Sequence, residues 1–412
     1  MLTLHTLSLA LLAAATFGTL ALCVQLVCVL RHAWDDAPPL PSPPEPRRSG
    51  ISILKPLCGV DDDLEANLEC FATLGYPVYE VILGVKDTRD PAYPVALAAV
   101  ARWPDVMRLE MQHGEPGLNP KVNQLITLAA AARYDVLLIS DSNTRVGPGY
   151  LEELSRAFED PSVGCVSHPV SGVGEASLGS LMDNLYLCTT AAAGQIAAKR
   201  IAGQDLVVGK SMALRREVVE GLDGFYAVRN VLAEDFVIGQ WVTRRMGLRA
   251  VVARAPVYNV SQKKSVQTFF QRYVRWSIIH HTCIPTPLYL AQSTLNPLPW
   301  ALLGAVLSPS AWTLGLAGTV AGVKVLHDVL VFRAMRPGLK TPWMTLPAVL
   351  LKDALLFVAW AHGLGARSVN WRGRSLRVRA GSRLVAPAAP VHVLPRPAVH
   401  VETSRAEQLL AG

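Results

Sequence analysis

Residues 121–143 read KVNQLITLAAAARYDVLLISDSN. KVNQLITLAAAARY has the composition and spacing of a helix. DVLLISDSN is an apolar run that turns polar at its C-terminal end, as a buried strand does. The same unit recurs upstream. ISILKPL (51–57) opens as a strand. DDLEANLECFATLGY (62–76) spaces Leu64, Leu68, Phe71 and Leu74 as a helix, and Gly75 stops it. YEVILGVKD (79–87) is a buried-strand run ending in a carboxylate, residues 91–102 read as helix, and VMRLEM reads as strand. This alternation predicts an α/β domain with a doubly wound, mostly parallel sheet. Ligands in such sheets bind beyond the carboxyl ends of the strands, where Asp87 and Asp141 both stand.

Beyond this core the chain turns apolar. Of 412 residues 51% are hydrophobic and 17% charged, below the quarter or so charged in soluble domains. Mean hydropathy is +0.28. Disorder, collagen and a disulfide-stapled miniprotein are excluded. The net charge of +7 suits nucleic acid, an anionic membrane surface or a phosphate-bearing substrate. The basic clusters flank membrane segments, which argues against nucleic acid. Seven cysteines without a CxxC pair give neither a zinc pattern nor a disulfide framework, so reduced thiols are expected.

Residues 2–30 carry no formal charge and are long enough to span a bilayer. A signal peptide would show a basic n-region and a shorter apolar run, so 1–31 reads as a retained anchor. Arg31, Arg47 and Arg48 follow it, the latter two in a Pro-rich linker (32–50). The positive-inside rule then puts the N-terminus outside and the globular domain (51–282) in the cytosol. Residues 283–366 hold further membrane segments, with 284–299 broken by four prolines. Lys352-Asp353 is expected to face neighbouring helices, since such a pair is costly in lipid. The tail (367–412) is strongly basic, with a disordered end, and belongs on the cytosolic side. That requires an even number of crossings after the domain, and makes 284–299 the candidate re-entrant segment.

Three further groups carry chemistry. Asp141, in ISDSN, taken alone reads as a strand-to-loop cap, and its place at a strand end also suits a cation on a diphosphate. Glu234-Asp235 opens an amphipathic helix, LAEDFVIGQWVTRRMG (232–247). Acidic residues favour helix N-termini, and a catalytic base fits the same position. In FFQRYVRWSIIHH (269–281), Arg272, Arg275 and Trp276 share a helix face. That face can clamp phosphates and present an indole to a sugar or acceptor, or lie on headgroups.

ILKPLCGVD (53–61), GVKD (84–87), NPKVNQL (119–125), ISDSNTRV (139–146), AED (233–235) and RYVRW (272–276), in this order, resemble the ceramide glucosyltransferases. These are glycosyltransferase family 21, relatives of the large family-2 group with the GT-A fold. The resemblance covers about 50–280 closely and the membrane parts loosely. It implies a pattern D, D, D, (Q/R)xxRW carried by Asp87, Asp141, Asp235 and Arg272 with Arg275 and Trp276. By resemblance, Asp87 holds the uridine and Asp141 the diphosphate with Mg²⁺ or Mn²⁺. Asp235 is the base, Arg272 and Arg275 bind pyrophosphate, Trp276 closes the acceptor site, and Lys121 is a phosphate-side contact. The chain departs from the DxD of many relatives, with Asn143 as the third residue.

The activity implied is transfer of a hexose, UDP-glucose favoured, to a lipid hydroxyl such as that of ceramide, with inversion; the Ala/Arg-rich composition suits a bacterium, and so a bacterial inner membrane. A hopanoid glycosyltransferase using UDP-GlcNAc is a close alternative. A processive polysaccharide synthase shares the motif set but needs more membrane segments and usually has Gln at the position of Arg272. A non-catalytic nucleotide-sugar binder would not need Asp235.

Overall fold

The computed structural model describes residues 2–34, 49–204, 206–371 and 374–386. The linker residues 35–48 and the end expected to be disordered, from 387, lie outside the described residues. Among the described residues ten strands build the globular part: β1 (Ile51–Pro56), β2 (Tyr79–Val85), β3 (Met107–Met111), β4 (Val136–Ser140), β5 (Thr144–Arg145), β6 (Val163–Ser167), β7 (Val170–Val173), β8 (Ser211–Arg215), β9 (Arg249–Val252) and β10 (Val257–Val260). The main sheet has the order β3-β2-β1-β4-β8-β6-β9. Six strands run the same way, with registers such as Ile53↔Val81 and Ile53↔Leu138, and β8 alone opposes them. The expected mostly parallel α/β sheet is therefore present.

Its strands read as unbroken apolar runs because both faces are covered. Side chains alternate across the pleat. Ile53, Leu83 and Leu138 pack under Phe71 and Leu154 on one face. Leu54, Ile82 and Ile139 pack under Val122, Leu125 and Leu128 on the other. The helix Pro120–Ala131 starts where Asn119 accepts hydrogen bonds from the N–H groups of Lys121 and Val122 and Pro120 takes the first turn, both favourable at a helix start. β5, β10 and β7 form a second, three-stranded sheet.

Among the described residues three helices are long and apolar enough to cross a membrane: the anchor Leu2–Trp34, Ala311–Ala334 and Thr345–Gly365. The contacts at their ends trace the chain's path. His32 Nε2 lies 3.0 Å from the Arg254 carbonyl, so the anchor's C-terminal end meets the globular domain. A Cβ on Gly18 would sit 1.7 Å from the Thr294 carbonyl oxygen. Ser8 Oγ donates to the Gly304 carbonyl at 2.7 Å, and His5 Nδ1 lies 3.1 Å from Ser308 Oγ. Residues 294–308 thus run antiparallel to the anchor, away from the domain, with small residues permitting close approach. Ala311–Ala334 returns. Ser171 Oγ donates to the Met335 carbonyl at 2.9 Å and Arg336 Nη2 to Glu175 at 2.6 Å.

Thr345–Gly365 also ends at the domain side. His281 Nδ1 lies 2.9 Å from the Gly363 carbonyl and 3.2 Å from Arg367 Nη1. The proline-broken stretch 284–299 therefore leads into the short apolar helix Pro297–Leu307, which packs antiparallel to the anchor and pairs with Ala311–Ala334. Its breaks are covered by protein. Trp300 Nε1 donates to the Ser293 carbonyl at 3.1 Å, and Asn296 Nδ2 to the Asp353 carbonyl at 2.8 Å, which is how non-helical backbone is tolerated at depth. Lys352 and Asp353 face a neighbouring helix as expected. Lys352 meets Asp328 at 3.1 Å and Lys324 meets Asp353 at 3.2 Å, closing a neutral, buried box.

The basic segment after Arg367 forms a third sheet: β11 (Ser368–Trp371), β12 (Arg374–Arg379) and β13 (Arg383–Val385), all antiparallel. Val369, Leu376, Val378 and Leu384 pack with Leu232 and Ile278. Alternation of Arg with apolar residues in this strongly basic segment is the period of a half-buried strand.

Candidate active site

Asp141 follows the last residue of β4, at the carboxyl end of the main sheet. Its Oδ1 lies 3.1 Å from Lys121 Nζ and its Oδ2 2.9 Å from Lys210 Nζ. Burial pushes this carboxyl up, but the two ammoniums outweigh it and hold it well below the ordinary range. Beneath it, Lys55 is fully buried over the Phe71 ring. Its Nζ donates to the Asp141 carbonyl at 2.9 Å and to Ser140 Oγ at 3.2 Å. Burial lowers the Lys55 pKa to about 7 against the pull of Cys70 and Asp141.

Lys121 links this carboxylate to the next. The Asn119 cap puts Lys121 in the first turn of its helix, from which Nζ also reaches Glu234 Oε1 at 2.9 Å. Glu234 is 5% exposed. Burial raises its pKa, and the neighbouring Asp235 raises it further against Lys121. Burial lowers the Lys121 pKa, yet Asp141, Glu234 and Asp235 together carry it above its ordinary value. Asp235, on the first turn of the helix Glu234–Arg244, accepts the Gly209 N–H at 2.6 Å on Oδ2. Gly209 is required there, since a Cβ would stand 2.6 Å from that oxygen. Asp141, Lys121 and Asp235 therefore share one patch.

The helix Val266–Cys283, capped by Ser265, carries the arginines. Arg272 Nη1 lies 3.2 Å from Asp183, which is fully buried and also takes Lys264 and the Tyr273 hydroxyl. Burial would lower the Arg272 pKa, but Asp183, Tyr273 and Asp141 hold the guanidinium charged. The guanidinium lies over Trp276 at 4.9 Å. Arg275 has no hydrogen-bonded or ion-paired partner among the described residues, and burial followed by Arg272 lowers its pKa. Trp276 meets Tyr186 and Tyr273 edge-on at 6.0 and 5.6 Å, at the seam where the sheet core joins the membrane-side core.

Asp87 stands apart from this patch. It is half-exposed beyond β2, and its carboxylate is taken by Arg89, through N–H at 2.9 Å and Nη2 at 3.0 Å, which lowers its pKa. Sequence reasoning missed Lys210 and Asp183. Lys210 precedes the antiparallel strand β8, and only sheet pairing sets it beside β4. Its Nζ donates to Asn143 Oδ1 at 2.6 Å, so the third residue of D-S-N faces a lysine. Asp183 lay in a helix with no motif.

Among the described residues no three His, Cys, Asp or Glu side chains form a metal cage. A hard divalent cation often takes only one or two carboxylates plus substrate phosphates. Each Asp141 oxygen has two lone pairs and uses one on a lysine, so the donor set fits such a single-carboxylate contact.

Ceramide glucosyltransferase 1 of Caenorhabditis elegans is 27% identical over 252 residues, 60% of this chain and 54% of that protein. Ceramide glucosyltransferase 3 of the same organism is 24% identical over 355 residues, covering 82% and 74%. Ceramide glucosyltransferase of Komagataella phaffii is 28% identical over 258 residues, covering 57% and 48%. The matches thus span about half the length of the first and third of these relatives. Among solved structures, mannosyltransferase PcManGT from Pyrobaculum calidifontis in complex with GDP-Man and Mn²⁺ aligns at TM-score 0.47 and 19% identity, over 88% of this chain and 99% of that one. The model of Glycosyl transferase family 21 matches residues 10–384, and the chain belongs to that family.

Proposed function

We propose that this membrane glycosyltransferase moves glucose from UDP-glucose to a lipid hydroxyl, such as that of ceramide, with inversion. The observation that carries the reading is Lys121, which joins the strand-end Asp141 to the Glu234-Asp235 turn and so sets a phosphate-facing cation beside a candidate base. Asp235 accepts the proton of the lipid hydroxyl. The oxygen attacks the anomeric carbon opposite UDP, the C1–O bond to the diphosphate breaks, and an α-donor gives a β-product. Lys121 and Lys210 can turn from Asp141 to the diphosphate, with Arg275 joining them. Mg²⁺ or Mn²⁺ held by Asp141 would add neutralising charge on the leaving group. Asp87 would contact the uridine at the far end of the same row of strand ends.

The acceptor side follows from Trp276, at the seam with the membrane helices. Arg31 supports a cytosolic domain, and the anchor end beside it meets that domain. A lipid hydroxyl then arrives from the inner leaflet, in a bacterial inner membrane.

The test is Asp235→Asn in the full chain. Turnover, read as UDP release with a lipid extract, is expected to fall about 10²–10⁴-fold. UDP binding should persist, because charge and not shape is lost. Near-normal turnover refutes the base assignment. Lipid mass spectrometry of cells with and without the gene identifies the product.

A further inference from the structure

We infer that the sheet following the last helix is part of the active site and that Ser382 is a positioning residue for Asp235. This rests on the reading of Asp235 as the base. Ser382 is fully buried. Its carbonyl accepts the Leu232 N–H at 2.9 Å, and its Oγ accepts the Ala233 N–H at 3.0 Å. Leu384 N–H donates to the Asn230 carbonyl at 2.7 Å, so Val231 and Arg383 pair as in an antiparallel ladder. Ala233 immediately precedes the helix of Asp235 and has no side-chain cap of its own.

The opposite side of this turn is held by the loop before Lys121. Asn119 N–H donates to the Arg229 carbonyl at 2.9 Å, its Nδ2 to the Val231 carbonyl at 2.6 Å, and Leu118 N–H to Asn230 Oδ1 at 2.8 Å. The turn that aims Asp235 is thus clamped between the donor-side loop and the chain's own tail. Ser382 reaches it in a left-handed conformation, φ 52°, directly after Gly381 at φ 67°. That conformation is unfavourable for a residue with a Cβ and persists only where its surroundings impose it. Here it turns carbonyl and hydroxyl toward the same turn. The sheet also packs on Ile278, two residues beyond Trp276, so one element touches both the base turn and the arginine helix.

Two variants of the full chain in detergent test this, with UDP-glucose and a lipid extract as substrates. Ser382→Ala is expected to lower kcat about 10–100-fold while UDP affinity and the UDP-glucose KM stay within about twofold. A purely structural serine would change the melting temperature and leave kcat of the folded protein alone. Val231 and Arg383 are a non-hydrogen-bonded pair, whose Cα separation of about 4.5 Å suits a disulfide. Val231→Cys with Arg383→Cys should therefore cross-link on oxidation, and the cross-linked form should turn over as fast as the same variant kept reduced. Unchanged kcat in Ser382→Ala overturns the inference, as does failure to cross-link or an inactive cross-linked form. Should Ser382→Ala not fold, the cross-link decides. Asp235→Asn run alongside separates the readings. Retained turnover there defeats the base assignment itself, whereas loss there with an unaffected Ser382→Ala defeats only the positioning role.

Discussion

Lys121→Met removes the cation common to Asp141 and Glu234. Asp141 keeps Lys210 at 2.9 Å, but Glu234, 5% exposed, loses its cation and keeps only neutral donors among the described residues, Asn119 Nδ2 at 3.3 Å and its own backbone N–H. Removing one partner of a buried pair costs about 3–5 kcal/mol. Lys121 and Asp141 retain 22% and 26% side-chain exposure, which brings the expectation to the lower end, about 3 kcal/mol. The cost depends on pH in a defined direction. Glu234 already has a raised pKa, and loss of Lys121 raises it further. A carboxyl raised in the folded state binds more protons than the unfolded chain does, so stability falls as pH rises through that interval. The gap in melting temperature between wild type and variant should widen from pH 5 to pH 8. Adding Glu234→Gln should recover most of it, because the unpaired charge is gone. Thermal unfolding in detergent, with UDP titration in parallel, reads both effects, and UDP affinity should fall in both variants. A gap that is flat in pH, or a double variant no more stable than Lys121→Met, refutes the ion-pair reasoning.

Arg275→Ala breaks no ion pair among the described residues, so the melting temperature should hold. Loss of a charge-assisted contact worth about 1.5–3 kcal/mol should raise the donor KM about 10–100-fold, measured by UDP release. Chelation should abolish turnover and added Mg²⁺ or Mn²⁺ restore it, with Asp141→Ala needing more metal or staying inactive; full activity in chelator would refute the metal role. Cysteine labelling should find the 336–344 loop and residue 386 accessible from the cytosolic side and the 308–310 turn from outside. A tail labelled only from outside would disprove the chain path.

The domain's architecture was legible because parallel strands buried on both faces must be apolar throughout. YEVILGV and DVLLIS therefore announced themselves, and Asp141 marked the strand end. The arginine helix was legible because Arg272 and Trp276 are four apart. Asp235 was legible as a helix start, although its hydrogen bond to Gly209 was not. The path of the chain through 284–308 was not legible, because prolines at 285–299 read only as breaks in an apolar run. Whether breaks are tolerated depends on neighbours such as Trp300 and Asp353, which no local pattern reveals. Lys210 and Ser382 had no signal at all. Lys210 is 69 residues from Asp141, Ser382 is 149 from Ala233, and each acts only through contacts that strand order and chain return create. Periodicity reports which face of an element is buried. It carries nothing about what that face is buried against, and the chemistry of this site depends on the latter.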